Sequence, residues 1–337
     1  MNVNFNNISD AFVSNNVALS KIYGQNGLLL WEKNNDSYLT KYLTFEALEN
    51  GTISFIDYGE YSTTTYYRHD YTISYRKNSG GWNSITVGPS QQLEQWSRYD
   101  ISVNNGDIVE FKGDNNFYAH YSYGAKFEAT KCNIYGNIMS MINSTSFATL
   151  DEIPAITGNN EDGLKFAFKS FFSGCNVIST EHLKLPATLL RLACYEEMFK
   201  DCENLITPPE LPATSLANQC YQKMFYNCKK LITPPELPAT SLRILCYAYM
   251  FRNCYSLTTS PNIPNASTQD QACQFMFYGC RNLNHISCKI RTISGSNVFK
   301  SWVYGVAESG TFIKNPWNND WPTGTSGIPS GWTIENI

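Results

Sequence analysis

The chain has 337 residues, of which 42% are hydrophobic and only 16% are charged, so it has a globular composition and is long enough for two domains. Its formal charge of −4 provides no basic surface, which argues against nucleic acid as a partner. No segment approaches the roughly 20 consecutive apolar residues of a membrane helix, so we expect no membrane insertion.

The first 37 residues combine a polar leader with a short apolar unit. The leader, residues 1–7, lacks the basic and apolar regions of a secretory signal, so we expect either a removed signal or a route other than secretion. Residues 17–32 predict a hairpin with a glycine-containing turn. This unit resembles a segment frequent in phage structural and tail-associated proteins, which implies that residues 1–37 dock onto other virion proteins. One more strand pair of the following domain is the alternative.

Residues 38–131 predict a domain made of strands. Polar and apolar residues alternate in short runs, and turn signals such as Asn78-Ser79-Gly80-Gly81 separate them. The predicted strands cover 52–56, 71–75, 82–87, 101–103 and 108–111. Short strands at a spacing of about 8–12 residues predict an all-β sandwich. Residues 132–164 predict a linker and the N-terminal cap of the region that follows.

A repeat about 26 residues long dominates residues 165–291. The dipeptide Met-Phe recurs every 26 residues from Met198 to Met276, and a cysteine follows each phenylalanine three residues later. The segment 205–216 recurs unchanged as 231–242. Such a fixed period predicts a stacked array in which each unit buries its apolar face against its neighbours.

Within one repeat, apolar residues recur in steps of three and four, as at Leu216, Cys220 and Met224, which predicts a short helix with one buried face. Residues 231–233 are apolar and β-branched and predict a short parallel strand. Pro234-Pro235 then ends that strand, because proline donates no hydrogen bond. The repeats therefore predict an α/β solenoid, and residues 292–337 predict its C-terminal cap.

These blocks resemble the BspA-like branch of leucine-rich repeats, which is common in surface proteins of gut bacteria and in their phages. The resemblance covers about residues 165–291, and the closing segment around Trp302 and Trp332 is also similar to the ends of such proteins. It implies a multidomain protein, with an N-terminal all-β sandwich followed by a leucine-rich-repeat α/β solenoid and a C-terminal cap. The Pro-Pro pair departs from the family pattern and puts a continuous concave sheet in doubt.

Eight of the 11 cysteines lie on the repeat. Because identical positions stack in successive repeats, we expect buried ladders of cysteine and phenylalanine. The expected ladders are Cys194, Cys220, Cys246 and Cys273; Cys202, Cys228, Cys254 and Cys280; and Phe199, Phe225, Phe251 and Phe277. Zinc needs ligands at a tight spacing such as C-x-x-C, and the four histidines are scattered. We therefore predict structural thiols with no metal and no cofactor; disulfides are the alternative.

The sequence contains no G-x-S-x-G, H-E-x-x-H or phosphate-loop motif, so we predict that the protein is not an enzyme. Partner contacts are expected from positions that vary between repeats while the frame stays constant. The candidate partner-binding residues are Glu196, Glu197, Gln222, Lys223, Tyr226, Lys229, Lys230, Tyr249, Arg252 and Tyr255. For each of them, neutral variation on a solvated surface is the alternative.

Two hypotheses follow for the biological setting. The first is a phage virion-associated protein of the fibre or decoration type, which lies on the virion surface and binds a host protein or surface glycan through its repeats. The second is a BspA-like adhesin, bacterial surface-bound or secreted, that binds host protein or glycan. A homo-oligomer is compatible with both.

Overall fold

The computed structural model describes residues 11–13, 17–19, 21–23, 29–32, 36–59, 70–88, 97–119, 123–153, 166–318 and 321–336. Strands form almost all of the regular structure in these ranges, together with three short 3-10 turns at Asp36–Tyr38, Ile138–Met141 and Phe147–Thr149. In chain order the strands are β1 (Ala11–Val13), β2 (Val17–Leu19), β3 (Lys21–Tyr23), β4 (Leu29–Glu32), β5 (Leu43–Ala47), β6 (Gly51–Gly59), β7 (Tyr71–Lys77), β8 (Asn83–Val87), β9 (Arg98–Val103), β10 (Ile108–Gly113), β11 (Tyr123–Ala129), β12 (Cys132–Asn137), β13 (Val177–Ser179), β14 (Leu183–Lys184), β15 (Thr259–Ile263), β16 (His285–Cys288), β17 (Thr311–Lys314) and β18 (Thr333–Asn336). In the N-terminal segment, β1 pairs with β2 and β3 with β4, both antiparallel.

Two sheets in the N-terminal half pack against each other. The larger has the order β13-β12-β5-β10-β7-β8, with β14 also on β12, and the smaller has the order β11-β6-β9. Phe45 and Phe111 of the larger sheet and Phe55 and Phe127 of the smaller are fully buried. The ring centroid of Phe127 lies 5.0, 4.7 and 5.0 Å from those of Phe45, Phe111 and Phe55. This two-layer arrangement is compatible with the predicted β-sandwich, and β6 to β10 lie where the alternation of polar and apolar residues places strands.

The larger sheet continues into the repeat region. Strand β12 pairs antiparallel with β5 and parallel with both β13 and β14. At the adjoining edge of the smaller sheet, the Phe127 N–H donates to the carbonyl of Phe171 at 2.8 Å. The N-terminal sheets therefore cover the first turns of the turn region, around Phe171, directly. The domain boundary expected at residue 131 falls between β11 and β12, and both strands contact residues of the repeat region.

The prediction of an α/β leucine-rich-repeat solenoid is wrong, because the described repeats contain no α-helix. Where the sequence spacing predicts a helix, the chain forms consecutive turns in which every fourth residue is left-handed. The φ angles are 57° at Glu197, 55° at Lys223 and 59° at Tyr249. An α-helix requires a negative φ at every residue, so these turns reproduce the three- and four-residue spacing without being helical.

Hydrogen bonds join the turns of each repeat to those of the next. Every second N–H donates to a carbonyl of the following repeat, as Tyr221 does to Cys246 at 3.1 Å. Each intervening N–H donates to the carbonyl three residues earlier, as Gln222 does to Gln219 at 3.1 Å. The backbone polar groups are thereby paired without helices. We call this array, from residue 166 to residue 306, the turn ladder.

A parallel sheet is present at the C-terminal end of the repeats, in the order β15-β16-β17-β18. In the earlier repeats the corresponding segments make isolated bridges, such as Ser179 to Thr207, and the strand predicted at 231–233 is not formed. Pro208-Pro209 and Pro234-Pro235 follow these segments and have no N–H to donate. The strands extend only where the proline pair is absent.

Columns of aromatic rings fill the interior of the turn ladder. Phe199, Phe225, Phe251 and Phe277 are fully buried and stack with successive ring centroids 5.7 Å apart. A second column contains Tyr195, Tyr221 and Tyr247, with centroids 5.9 and 6.2 Å apart. Stacking of this kind stabilises a core beyond the contribution of buried area. The constant residues of the repeat are therefore its packing frame.

All 11 cysteines are free thiols in buried positions. Cys202, Cys228, Cys254 and Cys280 share one position, where each thiol donates to a phenylalanine carbonyl of the preceding repeat at 2.9–3.2 Å. Burial raises the pKa of the Cys280 thiol to about 12, which keeps it protonated and able to donate. These cysteines therefore form hydrogen bonds between repeats as well as filling space.

The other expected cysteine ladder differs from the sequence alignment at its last member. Cys194, Cys220 and Cys246 occupy equivalent positions, because the N–H groups of Tyr195 and Tyr221 donate to the carbonyls of Cys220 and Cys246. In the next repeat the Tyr247 N–H donates to Ala272, so Cys273 takes the place of a column tyrosine. The fourth block has one residue fewer between its first cysteine and its methionine, which shifts Cys273 by one position.

Three buried tryptophans close the far end of the turn ladder. The Trp302 Nε1–H donates to the carbonyl of Gly327 at 2.8 Å, and the Trp332 Nε1–H donates to that of Ala307 at 2.9 Å. Trp321 stacks on Trp302 with ring centroids 5.7 Å apart. Residues beyond 306 thus cover apolar side chains that the last repeat would otherwise expose.

Candidate functional site: the outer face of the turn ladder

The turn ladder exposes its side chains in pairs. Met224 and Phe225 point inward and are fully buried, whereas Tyr226 and Asn227, the next two residues, are partly exposed. Because the repeats stack in register, outward residues of successive repeats form rows. The three rows, which we together call the outer face, are Glu197, Lys223, Tyr249 and Phe275; Lys200, Tyr226, Arg252, Tyr278 and Tyr304; and Glu203, Lys229, Tyr255 and Arg281.

The structure places most of the predicted partner-binding residues on or beside this face. In its rows lie Glu197, Lys223, Tyr226, Lys229, Tyr249, Arg252 and Tyr255, and Lys230 is exposed next to the third row. Glu196 and Gln222 are only 7% and 9% exposed, at a position where Ala248 is fully buried in the third repeat. Their assignment to partner binding is corrected, because their side chains pack inside the protein.

The candidate partner-binding residues leave out six residues of the outer face, of which Lys200 and Glu203 lie in the first repeat. Phe275, Tyr278 and Arg281 come from the fourth repeat and Tyr304 from the fifth. Counting from Met276 rather than from the shifted cysteine would have placed the first three in their rows. The sequence therefore contained the information needed to assign these residues, provided that the repeats were aligned on the methionine instead of on the first cysteine.

Charges at the N-terminal end of the outer face are paired between repeats. Lys223 Nζ lies 2.7 Å from Glu197 Oε1, and Lys229 Nζ lies 2.5 Å from Glu203 Oε1. Burial alone would raise the pKa of Glu197, but the hydrogen bond and charge of Lys223, with the charge of Lys200, hold it below its ordinary value. Lys223 and Lys229 of the second repeat are thus paired with carboxylates of the first.

The C-terminal end of the outer face is aromatic and cationic. Tyr249 stacks on Phe275 and Tyr278 on Tyr304, with ring centroids 4.8 and 4.7 Å apart. The guanidinium of Arg252 lies 4.4 Å from the ring centroid of Tyr278. Stacking of this kind holds normally mobile side chains in fixed positions. This end therefore presents a rigid surface of ring edges, hydroxyls and guanidinium groups.

A second aromatic group at the surface is formed by Trp82, which is partly exposed, with the cations Arg76 and Lys112 of the larger sheet. Trp82 lies under Lys112 and Arg76, at 4.4 and 4.9 Å from its ring centroid. Arg76 in turn makes two hydrogen bonds to Glu110, at 2.6 and 2.9 Å. The ring face of Trp82 and the charge of Arg76 are thus already in contact with other groups of the protein. This cluster therefore has fewer free groups for a partner than the outer face has.

No three histidine, cysteine or acidic side chains within the described ranges are grouped so as to hold a metal ion. The helices in these ranges are single short turns, and none has the length or apolar character needed to cross a membrane. The outer face presents aromatic rings, hydroxyls, carboxylates, ammonium groups and guanidinium groups, which can stack, donate or accept hydrogen bonds and form ion pairs.

Comparison with known proteins gives no match to a family model, a curated protein or a solved structure.

Proposed function

We propose that this protein is a non-enzymatic recognition protein that binds a protein or surface-glycan partner through the outer face of the turn ladder. The observation that carries the proposal is the division of each repeat into a constant buried frame and variable exposed rows. Met224 and Phe225 recur in neighbouring repeats, whereas the outward position of Tyr226 is occupied by lysine, arginine and tyrosine elsewhere. A surface that varies on a constant frame suits recognition.

The residue types at the C-terminal end of the face support the same conclusion. Tyrosine and arginine dominate the energetics of protein interfaces, because they combine a large contact area with polar atoms. Here the stacks of Tyr249 on Phe275 and of Tyr278 on Tyr304 restrict these side chains before any partner arrives. Pre-ordered side chains lose less entropy on binding, which favours affinity.

The setting that we propose is the virion surface, with residues 1–37 docked onto other virion proteins; the alternative is a bacterial surface adhesin. The resemblance of residues 17–32 to segments of phage structural proteins supports the first, and the BspA-like motif is compatible with both. Electron microscopy of purified virions labelled with antibody to this chain distinguishes them. Labelled particles support the virion setting, whereas bare particles together with labelled bacterial cells support the adhesin.

Binding itself is tested by probing glycan arrays and intact bacterial cells with the full chain and two triple variants. The first variant, Tyr226→Ser/Tyr249→Ser/Tyr278→Ser, changes the outer face. The matched control, Ile206→Ser/Ile232→Ser/Ile244→Ser, removes three large exposed side chains of the same repeats outside the rows, which are 36%, 50% and 37% exposed. The proposal predicts that the first variant loses the bound partner and the control keeps it. Equal binding by both variants, or no binding by the wild type, would contradict the proposal.

A further inference from the structure

The cations of the outer face fall into two sets. Lys223 and Lys229 each contact a carboxylate of the preceding repeat, and Lys200 contacts Glu197 of its own repeat. Arg252 and Arg281, one and two repeats further on, have no carboxylate within the 4.0 Å limit of a salt bridge anywhere in the described ranges. Uncompensated positive charge is therefore concentrated where the face is most aromatic.

The guanidinium of Arg252 is held in place without using its hydrogen-bonding capacity. It lies 5.6 Å from the ring centroid of Tyr226 and 4.4 Å from that of Tyr278, in the same row on either side. Its Nε is buried and has no hydrogen-bond partner among the residues that the structure describes. A guanidinium stacked on a ring keeps its N–H groups in its own plane, clear of the ring. The stack thus fixes the group, and because Nε is buried, the donors left for a ligand are the two terminal amino groups, which have no partner in the described ranges.

Arg281 provides a second cation, one repeat and one row away from the first. Its guanidinium lies 4.7 Å from the ring centroid of Tyr255, and the residue is exposed. Tyr255 belongs to the same repeat as Arg252, so the two arginines occupy adjacent repeats and adjacent rows. Planar arginine donors match the two oxygens of a carboxylate better than an ammonium group does.

We propose that Arg252 and Arg281 form a carboxylate-binding site that takes an acidic segment of a partner polypeptide. This inference rests on the proposed recognition function and specifies its chemistry. The adjacent tyrosine hydroxyls supply further donors, and the ring edges supply apolar contact for side chains that flank the acidic residues. The positive charges of the two arginines complement the negative charges of an acidic segment. Lys223 and Lys229 attract such a segment less, because each is paired with a carboxylate of this chain.

The arrangement of the rings favours a polypeptide over a sugar chain. Sugars bind aromatic residues mainly by stacking on ring faces, but Tyr278 has Arg252 against one face and Tyr304 stacked on its ring at 4.7 Å. Tyr249 is likewise stacked on Phe275. At Tyr278, beside Arg252, what remains accessible is the ring edge, the hydroxyl and the guanidinium donors, and these suit the mixed side chains of an acidic peptide.

The site is tested by calorimetric titration of the full chain with poly-L-glutamate, and with polygalacturonate as a carboxylate-bearing polysaccharide. The variants are Arg252→Gln, Arg281→Gln and the matched control Arg243→Gln, which removes an exposed arginine of the third repeat outside the outer face. We expect each of the first two changes to weaken poly-L-glutamate binding roughly tenfold. The control should stay within about twofold. Thermal unfolding of each variant verifies that the fold is intact.

Three outcomes would overturn the inference. They are no binding of poly-L-glutamate, equal loss in the Arg243→Gln control, and polygalacturonate binding at least as tight as poly-L-glutamate. The recognition function fails separately, since it requires only that the tyrosine triple variant lose the partner found on arrays or cells. If the arginine variants keep that partner and the tyrosine variant loses it, only the carboxylate site is wrong.

Discussion

The N-terminal sheets and the turn ladder pair their backbone groups in different ways. In the sheets each strand has neighbours of unrelated sequence, as β5 has in β10 and β12, and specific side-chain pairs such as Arg76 with Glu110 accompany the pairing. In the turn ladder each segment pairs with a near copy of itself one repeat away. The ladder therefore needs only its inward residues to be constant, and its outward residues remain available for function.

The largest effect is expected from breaking the phenylalanine column. Phe225 is fully buried and stacks on Phe199 and Phe251 on either side. We expect Phe225→Ala to lower the free energy of unfolding by roughly 3–5 kcal/mol, measured by urea denaturation. Tyr99 of the smaller sheet is 39% exposed, and Tyr99→Ala should cost less than about 1 kcal/mol. Similar losses for the two variants would show that the column is not the frame of the repeats.

Alanine substitution of two glycines with positive φ compares the rigidity of the N-terminal sheets with that of the turn ladder. Gly136 lies in the sheets and Gly279 in the turn ladder. A Cβ at Gly136, where φ is 88°, would collide with the carbonyl oxygen of Tyr42, which the sheet holds in place. A Cβ at Gly279, where φ is 77°, would meet the side-chain end of Asn253, which can move. We expect Gly136→Ala to cost about 3 kcal/mol and Gly279→Ala about 1 kcal/mol in unfolding free energy. The reverse order would contradict this account of the two regions.

The two cysteine positions of the repeat should respond differently to alanine. Cys228→Ala removes the thiol that donates to the Phe199 carbonyl at 3.2 Å. Cys220→Ala introduces the residue that the fourth repeat already has in that position, Ala272. We expect Cys228→Ala to be the more destabilising change by about 1 kcal/mol in denaturant unfolding. Equal effects would show that the thiol hydrogen bond contributes nothing beyond packing.

The smallest effect concerns acid stability of the sheets. The hydrogen bond from the Asn104 backbone, with those from Lys77 and Asn78, lowers the pKa of Asp107 to about 2. A carboxyl whose folded pKa is depressed stabilises the fold above its unfolded pKa of about 3.9, and this contribution is lost as the pH falls toward about 2. Urea midpoints should therefore fall less steeply between about pH 4 and pH 2 in Asp107→Asn than in the wild type. An unchanged slope would exclude Asp107 as a contributor.

The sequence predicted the sheets better than the repeats for a physical reason. Alternation of polar and apolar residues has one common structural cause, a half-buried strand, and β6 to β10 follow it. Apolar residues in steps of three and four can arise from two different backbone structures. A helix produces them, and so do turns in which every fourth residue, such as Glu197 or Lys223, is left-handed. Glutamate and lysine at these positions give no local signal for a positive φ.

The outer face was largely predictable, because variation against a constant frame marks exposed positions. Glu196 and Gln222 were assigned wrongly, since polar residues that vary between repeats look exposed, yet the turns direct them inward. Two features could not be predicted: the pairing of Lys223 with Glu197, and the lack of a carboxylate near Arg252 in the part of the chain that the structure describes. Both depend on which side chains neighbouring repeats bring within contact distance.

Hydroxyl-radical footprinting of aromatic side chains, with and without the bound partner, tests the central claim that recognition lies on the outer face of the turn ladder. Both regions carry reporters that are exposed or partly exposed, with Tyr278 and Tyr304 on the outer face and Tyr99 and Trp82 on the sheets. Our account predicts that the partner protects Tyr278 and Tyr304 from oxidation and leaves Tyr99 and Trp82 unchanged. Protection of Tyr99 and Trp82 with no change at Tyr278 and Tyr304 would contradict it.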